Sequence, residues 1–276
     1  MGNMRMQLPK LRASNIAVLV CLILAPALSG CLDNPSRAIL NRGYSEMAAK
    51  QYDQADADAD EFLRAHPNGT GVAEAYYLKG RIDEQKAQDP ALSPTIAEKT
   101  KWLDRARDDY QEGLRAIPPI GVRAILHTGV ANVDYHEEDY GAALREWKTA
   151  YENLPNDDSK AWVLYHIGRC QQRMGLFAEA DKSFADVSRY YPGSEAAFRA
   201  SSKIGANAFY VEVGQFPDPN NAEQAAGKLR KEGYPASRTL EAGRQIVRVG
   251  PLPTFPDAKA IQSRVHREYP GAVISP

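Results

Sequence analysis

Four segments of the chain end alike: FLRAHP (62–67), GLRAIP (113–118), AYENLP (150–155) and VSRYYP (187–192). Pro118, Pro155 and Pro192 are 37 residues apart, and the gap from Pro67 to Pro118 is 51. Twelve residues before each proline stands Ala55, Ala106, Ala143 or Ala180. Eight before stands Ala59, Tyr110, Trp147 or Phe184, and five before stands Phe62, Gly113, Ala150 or Val187. Spacings of four and three residues mark one face of a helix. Each such helix follows another with a small residue near its middle, Gly43, Gly80, Ala131 or Gly168. A small residue there lets two antiparallel helices approach closely. A chain with this recurrence folds as a stack of helix pairs, each unit burying its apolar face against the next.

The pattern of Gly, aromatic, Ala, aromatic and Pro resembles the tetratricopeptide (TPR) repeat, most fully in Gly168, Phe177, Ala180, Phe184, Val187 and Pro192. The extra residues of the second repeat fall near 86–100, where Pro90 and Pro94 mark a loop. Residues 195–204 read as a capping helix. The resemblance implies a scaffold for a protein partner rather than a catalyst. The first helices of the repeats place Tyr77, Arg81, Tyr135, Trp162, Tyr165, Arg169 and Arg173 along a concave partner groove, in the aromatic and Arg chemistry that anchors peptides.

Residues 209–216, FYVEVGQF, break the helical period and alternate as a strand does. A helix follows over 217–234, capped by Asn220 or Asn221 and stopped by Gly233. A hairpin then joins 235–241 to 244–251 around Ala242-Gly243. A second helix spans 254–270 and a last strand 271–275. The order β-α-β-β-α-β folds as a four-stranded antiparallel sheet with both helices on one face. Val211, Val213, Val247 and Val249 then lie under the helices, and Tyr210, Glu212, Ile246 and Arg248 on the open face. An aromatic ring beside hydrogen-bonding groups suits a neutral polar polymer such as a glycan.

The two strands ending in Val-Gly, YVEVGQF and VRVGP, each with an Ala-containing helix after it, resemble the SPOR (sporulation-related repeat) domain across 207–276. The resemblance implies binding of peptidoglycan, with preference for glycan strands stripped of stem peptides. Carried over by position, the glycan surface is Tyr210, Glu212, Gln215, Phe216, Ile246 and Arg248, with Gly214 and Gly250 shaping the strand ends. The family usually has Gln at Glu212 and a small residue at Gln215. An ionised Glu accepts hydrogen bonds and donates none, so Gln215 is the candidate to supply the missing donor.

The N-terminus carries Arg5, Lys10 and Arg12 and no acidic residue, then an apolar run of thirteen residues from Ile16 to Leu28. That run is too short to span a membrane and suits the core of a secretory signal. It ends in Leu28-Ser29-Gly30-Cys31, which resembles the lipobox of bacterial lipoproteins. The resemblance implies cleavage before Cys31 and lipidation of its thiol. Leu32 rather than Asp then follows the anchor, which points to the outer membrane. Without residues 1–30 the chain has 31 basic and 35 acidic residues, net −4, a balance that argues against nucleic acid as partner. Cys170 is left alone and reads as a small buried apolar residue.

Two motifs are decoys. DQADADAD (53–60) lacks the Gly and Glu of a calcium loop, and is expected to be a solvated helix face with Ala55, Ala59 and Phe62 inward. HEED (136–139) has Tyr140 where a zinc protease needs its second His. No metal or cofactor is expected, and no enzymatic activity, since the assigned segments leave no catalytic domain.

The expected architecture is an all-α TPR solenoid followed by a small α+β ferredoxin-like domain. Its parts are a signal at 1–30, a lipidated linker at 31–35, about four repeats and a cap over 36–205, and the SPOR-like module over 207–276. The expected function is that of an envelope lipoprotein on the periplasmic side, binding glycan strands and adapting a protein partner, in cell division or wall remodelling. The alternative is a TPR subunit of an outer-membrane protein assembly machinery with secondary wall binding.

Overall fold

A computed structural model describes residues 34–276. The segment expected to be a signal, Cys21, and Cys31, expected to be lipidated, lie outside the described residues. Among the described residues nine helices come first: α1 (Asn34–Ala48), α2 (Tyr52–Ala65), α3 (Val72–Gln88), α4 (Ile96–Arg115), α5 (Ile120–His136), α6 (Tyr140–Asn153), α7 (Asp158–Arg173), α8 (Phe177–Tyr190) and α9 (Glu195–Ser201). Then follow β1 (Phe209–Phe216), α10 (Pro219–Lys231), β2 (Ala236–Glu241), β3 (Arg244–Leu252), α11 (Phe255–Val265) and β4 (Val273–Ser275). No helix among the described residues is long and apolar enough to cross a membrane.

Packing divides the chain into two compact units, up to Val133 and from Asp134 onward. The division falls inside α5. Its physical reason lies in the second unit, where the sheet's core extends onto the last repeats: Tyr140 and Phe177 pack against the cluster that contains Phe209, Val211, Val249 and Phe255.

In the first unit the periodic positions of α2 and α4 are the core. Ala55, Ala59, Phe62, Ala106 and Tyr110 are wholly buried. The small residues act as anticipated. A Cβ on Gly43 would lie 2.7 Å from Leu78, and Tyr110 is wedged between Gly80 and Gly129, where added Cβ atoms would meet its ring at 2.5 Å. The Tyr110 hydroxyl donates to buried Glu84 at 2.8 Å, and Arg81 and Asn132 donate to the same carboxylate at 2.9 and 3.2 Å. A buried charge satisfied on several sides fixes one register of three helices. The long second repeat arises because α3 runs to Gln88 and α4 starts at Ile96. Thr95 caps α4 in a capping box with Glu98.

The DQADADAD run is not simply a solvated face. Asp58 is buried and takes two hydrogen bonds from Arg42, at 2.7 and 2.5 Å. Asp56 and Asp60 both accept from Lys79, at 2.8 and 2.7 Å. Near them, burial pushes Asp83 up to about 6 and Asp109 up to about 7, against the pull of Arg105 on both, of Lys86 and Lys79 on Asp83, and of Lys79 on Asp109. Both groups therefore bind protons more readily folded than unfolded. Their contribution to stability is present at low pH and is lost as pH rises through about 6 to 7. Hydrogen exchange of α3 and α4, corrected for intrinsic rate, is expected to slow between pH 8 and pH 5. Protection that instead falls monotonically with acid would contradict this, and Asp83→Asn should flatten the trend.

The second unit holds the last repeats and the sheet, whose strand order is β2-β3-β1-β4, antiparallel throughout. Ala143, Trp147, Ala150, Ala180, Phe184 and Val187 are at most 1% exposed. Cys170 is wholly buried, and burial raises its thiol far above the ordinary range, so it is inert packing. The cap of α10 is Asp218, which accepts from the Asn220 backbone at 2.8 Å, in place of the expected Asn220 or Asn221. Pro219 at the first helical position accounts for the earlier start. Ala242 and Gly243 both have positive φ, 48° and 77°, as a tight turn matching strand twist requires.

Candidate functional site

The open sheet face is built from residues that alternate with the buried valines. Register pairs share a face, so Glu212 stands beside Arg248 and Val273, Tyr210 beside Ser275, and Arg248 beside Ser237. Arg248 is clamped between two carboxylates, 2.8 Å from Glu241 and 3.5 Å from Glu212, and its Nε is buried without a partner. Gln215 donates to Glu212 at 3.3 Å. The amide donor thought to compensate for Glu212 is thus turned toward it, and the pair offers a carboxylate already bonded on one side.

Two expected contacts on this face are corrected. β1 carries an irregularity between Glu212 and Gly214, so Val213 and Gly214 oppose the partner strand without alternating. Such a bulge resets which residues face out. Gln215 returns to the open side, while Phe216 packs against the core cluster. Ile246 belongs to the open side, paired with Gln215 and Thr239, yet is only 5% exposed. Its role is packing among neighbours rather than offering a surface. Val273, 48% exposed beside Glu212, was missed in the sequence. Its signal was the strand pairing, which a three-residue strand does not reveal alone.

Gly250 has φ 144°, and a Cβ there would lie 2.7 Å from the Tyr210 ring and 2.9 Å from the Phe209 carbonyl. It is the residue that lets the Tyr210 ring lie down against β3. Gly214 is different in kind: its open side is met only by the Phe216 ring at 3.3 Å.

The expected partner groove is largely occupied by the protein itself. In the first unit, Tyr77 packs on the core cluster around Tyr110, and Arg81 is held by Glu84. In the second, Tyr165 is 7% exposed and packs near Phe184. Arg169 bonds to Tyr165 and Tyr135, which hold it above the usual range against the pull of burial. Tyr135 packs against Trp147, and His166 stacks on Trp147 at 4.7 Å. Burial, helped by Arg169, drives His166 down to about 3, so it is neutral at physiological pH. Arg173 lies over the Phe255 ring at 4.2 Å. Trp162, with Arg199 over its ring at 5.1 Å, keeps a partly open face. Spacing along helix faces suggests a lining; in the structure the aromatic residues at these positions pack within repeats, as Tyr77 on Tyr110 and Tyr165 on Phe184 do, and between them, as Tyr135 on His166 does.

The sheet module is seated on the repeats by the same chemistry. Phe177 meets Phe209 at 5.3 Å between ring centroids, Tyr140 meets Phe255 at 5.6 Å, and Lys259 pairs with Glu138 at 2.5 Å.

Residues 205–276 match the family model of the SPOR domain. Residues 37–69 and 162–194, which cover most of α1–α2 and of α7–α8, match that of the tetratricopeptide repeat. No curated protein matches the chain.

Proposed function

We propose that this chain, a SPOR domain preceded by tetratricopeptide repeats, is a non-enzymatic adaptor of the bacterial cell envelope. A SPOR domain implies peptidoglycan binding, and tetratricopeptide repeats imply protein–protein interaction. The observation that carries the reading is the open sheet face, where Tyr210 lies beside the Glu212–Arg248–Glu241 set. A ring covers the apolar face of a sugar, and fixed polar groups take its hydroxyls and acetamides. The preferred ligand is a glycan strand free of stem peptides, which supports a role in cell division or wall remodelling. The sequence Leu28-Ser29-Gly30-Cys31 supports a lipid anchor at Cys31, and Leu32 supports the outer membrane. The partly open Trp162–Arg199 surface is the place for the protein partner.

Pull-down with purified sacculi tests the reading. Binding is expected to rise after amidase treatment strips the stem peptides. Tyr210→Ala and Arg248→Ala should each weaken it by about tenfold or more, as loss of a central anchor does. Equal recovery of wild type and both variants on stripped sacculi would remove the sheet face from the proposal.

A further inference from the structure

The open face continues past the edge of the sheet. A cavity of about 300 Å³ adjoins it, walled on one side by Tyr210, Ser275 and Pro276 and on the other by Gln172 of α7 and the 202–208 segment. That segment is held in place. Gln172 donates to the Lys203 carbonyl at 3.0 Å, and the Gly205 amide donates to Asp181 at 3.0 Å. Gln172 is 1% exposed, and its other amide atom, Oε1, has no partner.

The charge around this cavity is unbalanced. Lys203 lines it, and the charged groups felt by Lys203 are Arg169 and Arg173. None of the three forms an ion pair among the described residues. Arg169 Nε and Arg173 Nη1 are buried without a hydrogen-bond acceptor. The nearby carboxylate of Asp181 is engaged by the Gly205 backbone. Burial, and then Arg169 and Arg173, push Lys203 below the ordinary lysine range. Lys203 on the cavity wall, repelled by Arg169 and Arg173 and without an ion pair of its own among the described residues, next to a cavity large enough for one small chemical group, favours an anion there.

We propose that this cavity takes a carboxylate of the bound glycan, the lactyl carboxylate that a muramic acid exposes once its stem peptide is removed. The proposal rests on the glycan reading of the sheet face and names what the repeats add to it. Tyr210 belongs to both surfaces, so a strand lying on the face reaches the cavity without a gap. An intact stem replaces the compact anion by a neutral amide and a bulky chain. Lys203 therefore selects stripped strands by charge as well as by space, from a residue outside β1–β4 and α10–α11.

The test compares the purified full protein binding to soluble peptide-free glycan strands and to the same strands with carboxylates converted to methylamides. Wild type is expected to bind the amidated strands about tenfold more weakly, the loss of a charge-assisted pair. Lys203→Gln should bind both strands at that weaker level, Lys203→Arg should recover the difference, and exposed Lys231→Gln should behave as wild type. Should Lys203→Gln match wild type, or amidation change nothing, while Tyr210→Ala still abolishes binding, the carboxylate inference falls and the sheet reading stands. Should wild type bind neither strand, both fall. Equal losses from Lys203→Gln and Lys231→Gln would reduce the effect to net charge and also overturn the cavity site.

Discussion

Phe184→Ala is expected to lower the stability of the second unit by about 3–5 kcal/mol. The ring is wholly buried. It lies on Gly168, where a Cβ would come within 2.6 Å of it, and 5.8 Å from the Tyr165 ring. Two helices have closed around it, and the backbone at Gly168 cannot move in to fill the space without losing its own packing. Because the chain has two units, a single transition is not assured. Trp147 and Trp162 report the second unit once Trp102 is changed to Phe. A shift of the urea midpoint worth under about 1 kcal/mol would mean that the site collapses freely and that the ring is not the keystone of α7 and α8.

Gly250→Val is expected to abolish glycan binding and to destabilise the sheet, although glycine itself offers no side chain to a ligand. Its φ of 144° is open to glycine and strained for any other residue, a cost of about 1–3 kcal/mol. The new Cβ would also press on the Phe209 carbonyl at 2.9 Å and the Tyr210 ring at 2.7 Å. The carbonyl is backbone and cannot turn aside, so the ring must move, and it is the ring on which the sugar rests. Gly227→Ala is the control. It sits in α10 with nothing within 4 Å of its Cβ and should be neutral or stabilising by up to about 1 kcal/mol. Unchanged binding by Gly250→Val would show that the Tyr210 position is not set by β3.

The helix stack was legible because its signal is redundant. Each repeat places Ala twelve residues before its proline, and three of the four place an aromatic eight before it; all these positions are buried. The sheet was legible for the same reason, from two strands ending in Val-Gly with an Ala-bearing helix after each. What misled was a local reading of faces. The family resemblance put both Gln215 and Phe216 outside, and the irregularity between Glu212 and Gly214 leaves Phe216 inward. Periodicity made Tyr165 and Arg173 groove residues, although the first is packed near Phe184 and the second lies over Phe255. The run 53–60 looked solvated because its partners Arg42 and Lys79 are 16 and 19 or more residues away.

Order and type of the elements thus came from the sequence by itself, since periodicity, caps and turn residues act within about a dozen positions. The tertiary structure alone decided which charges meet, which strand face is interrupted, and that Lys203 shares a cavity wall with Tyr210. Those facts depend on residues brought together by packing between helices and sheet. Coulomb interactions and steric fit act across space and leave no period along the chain.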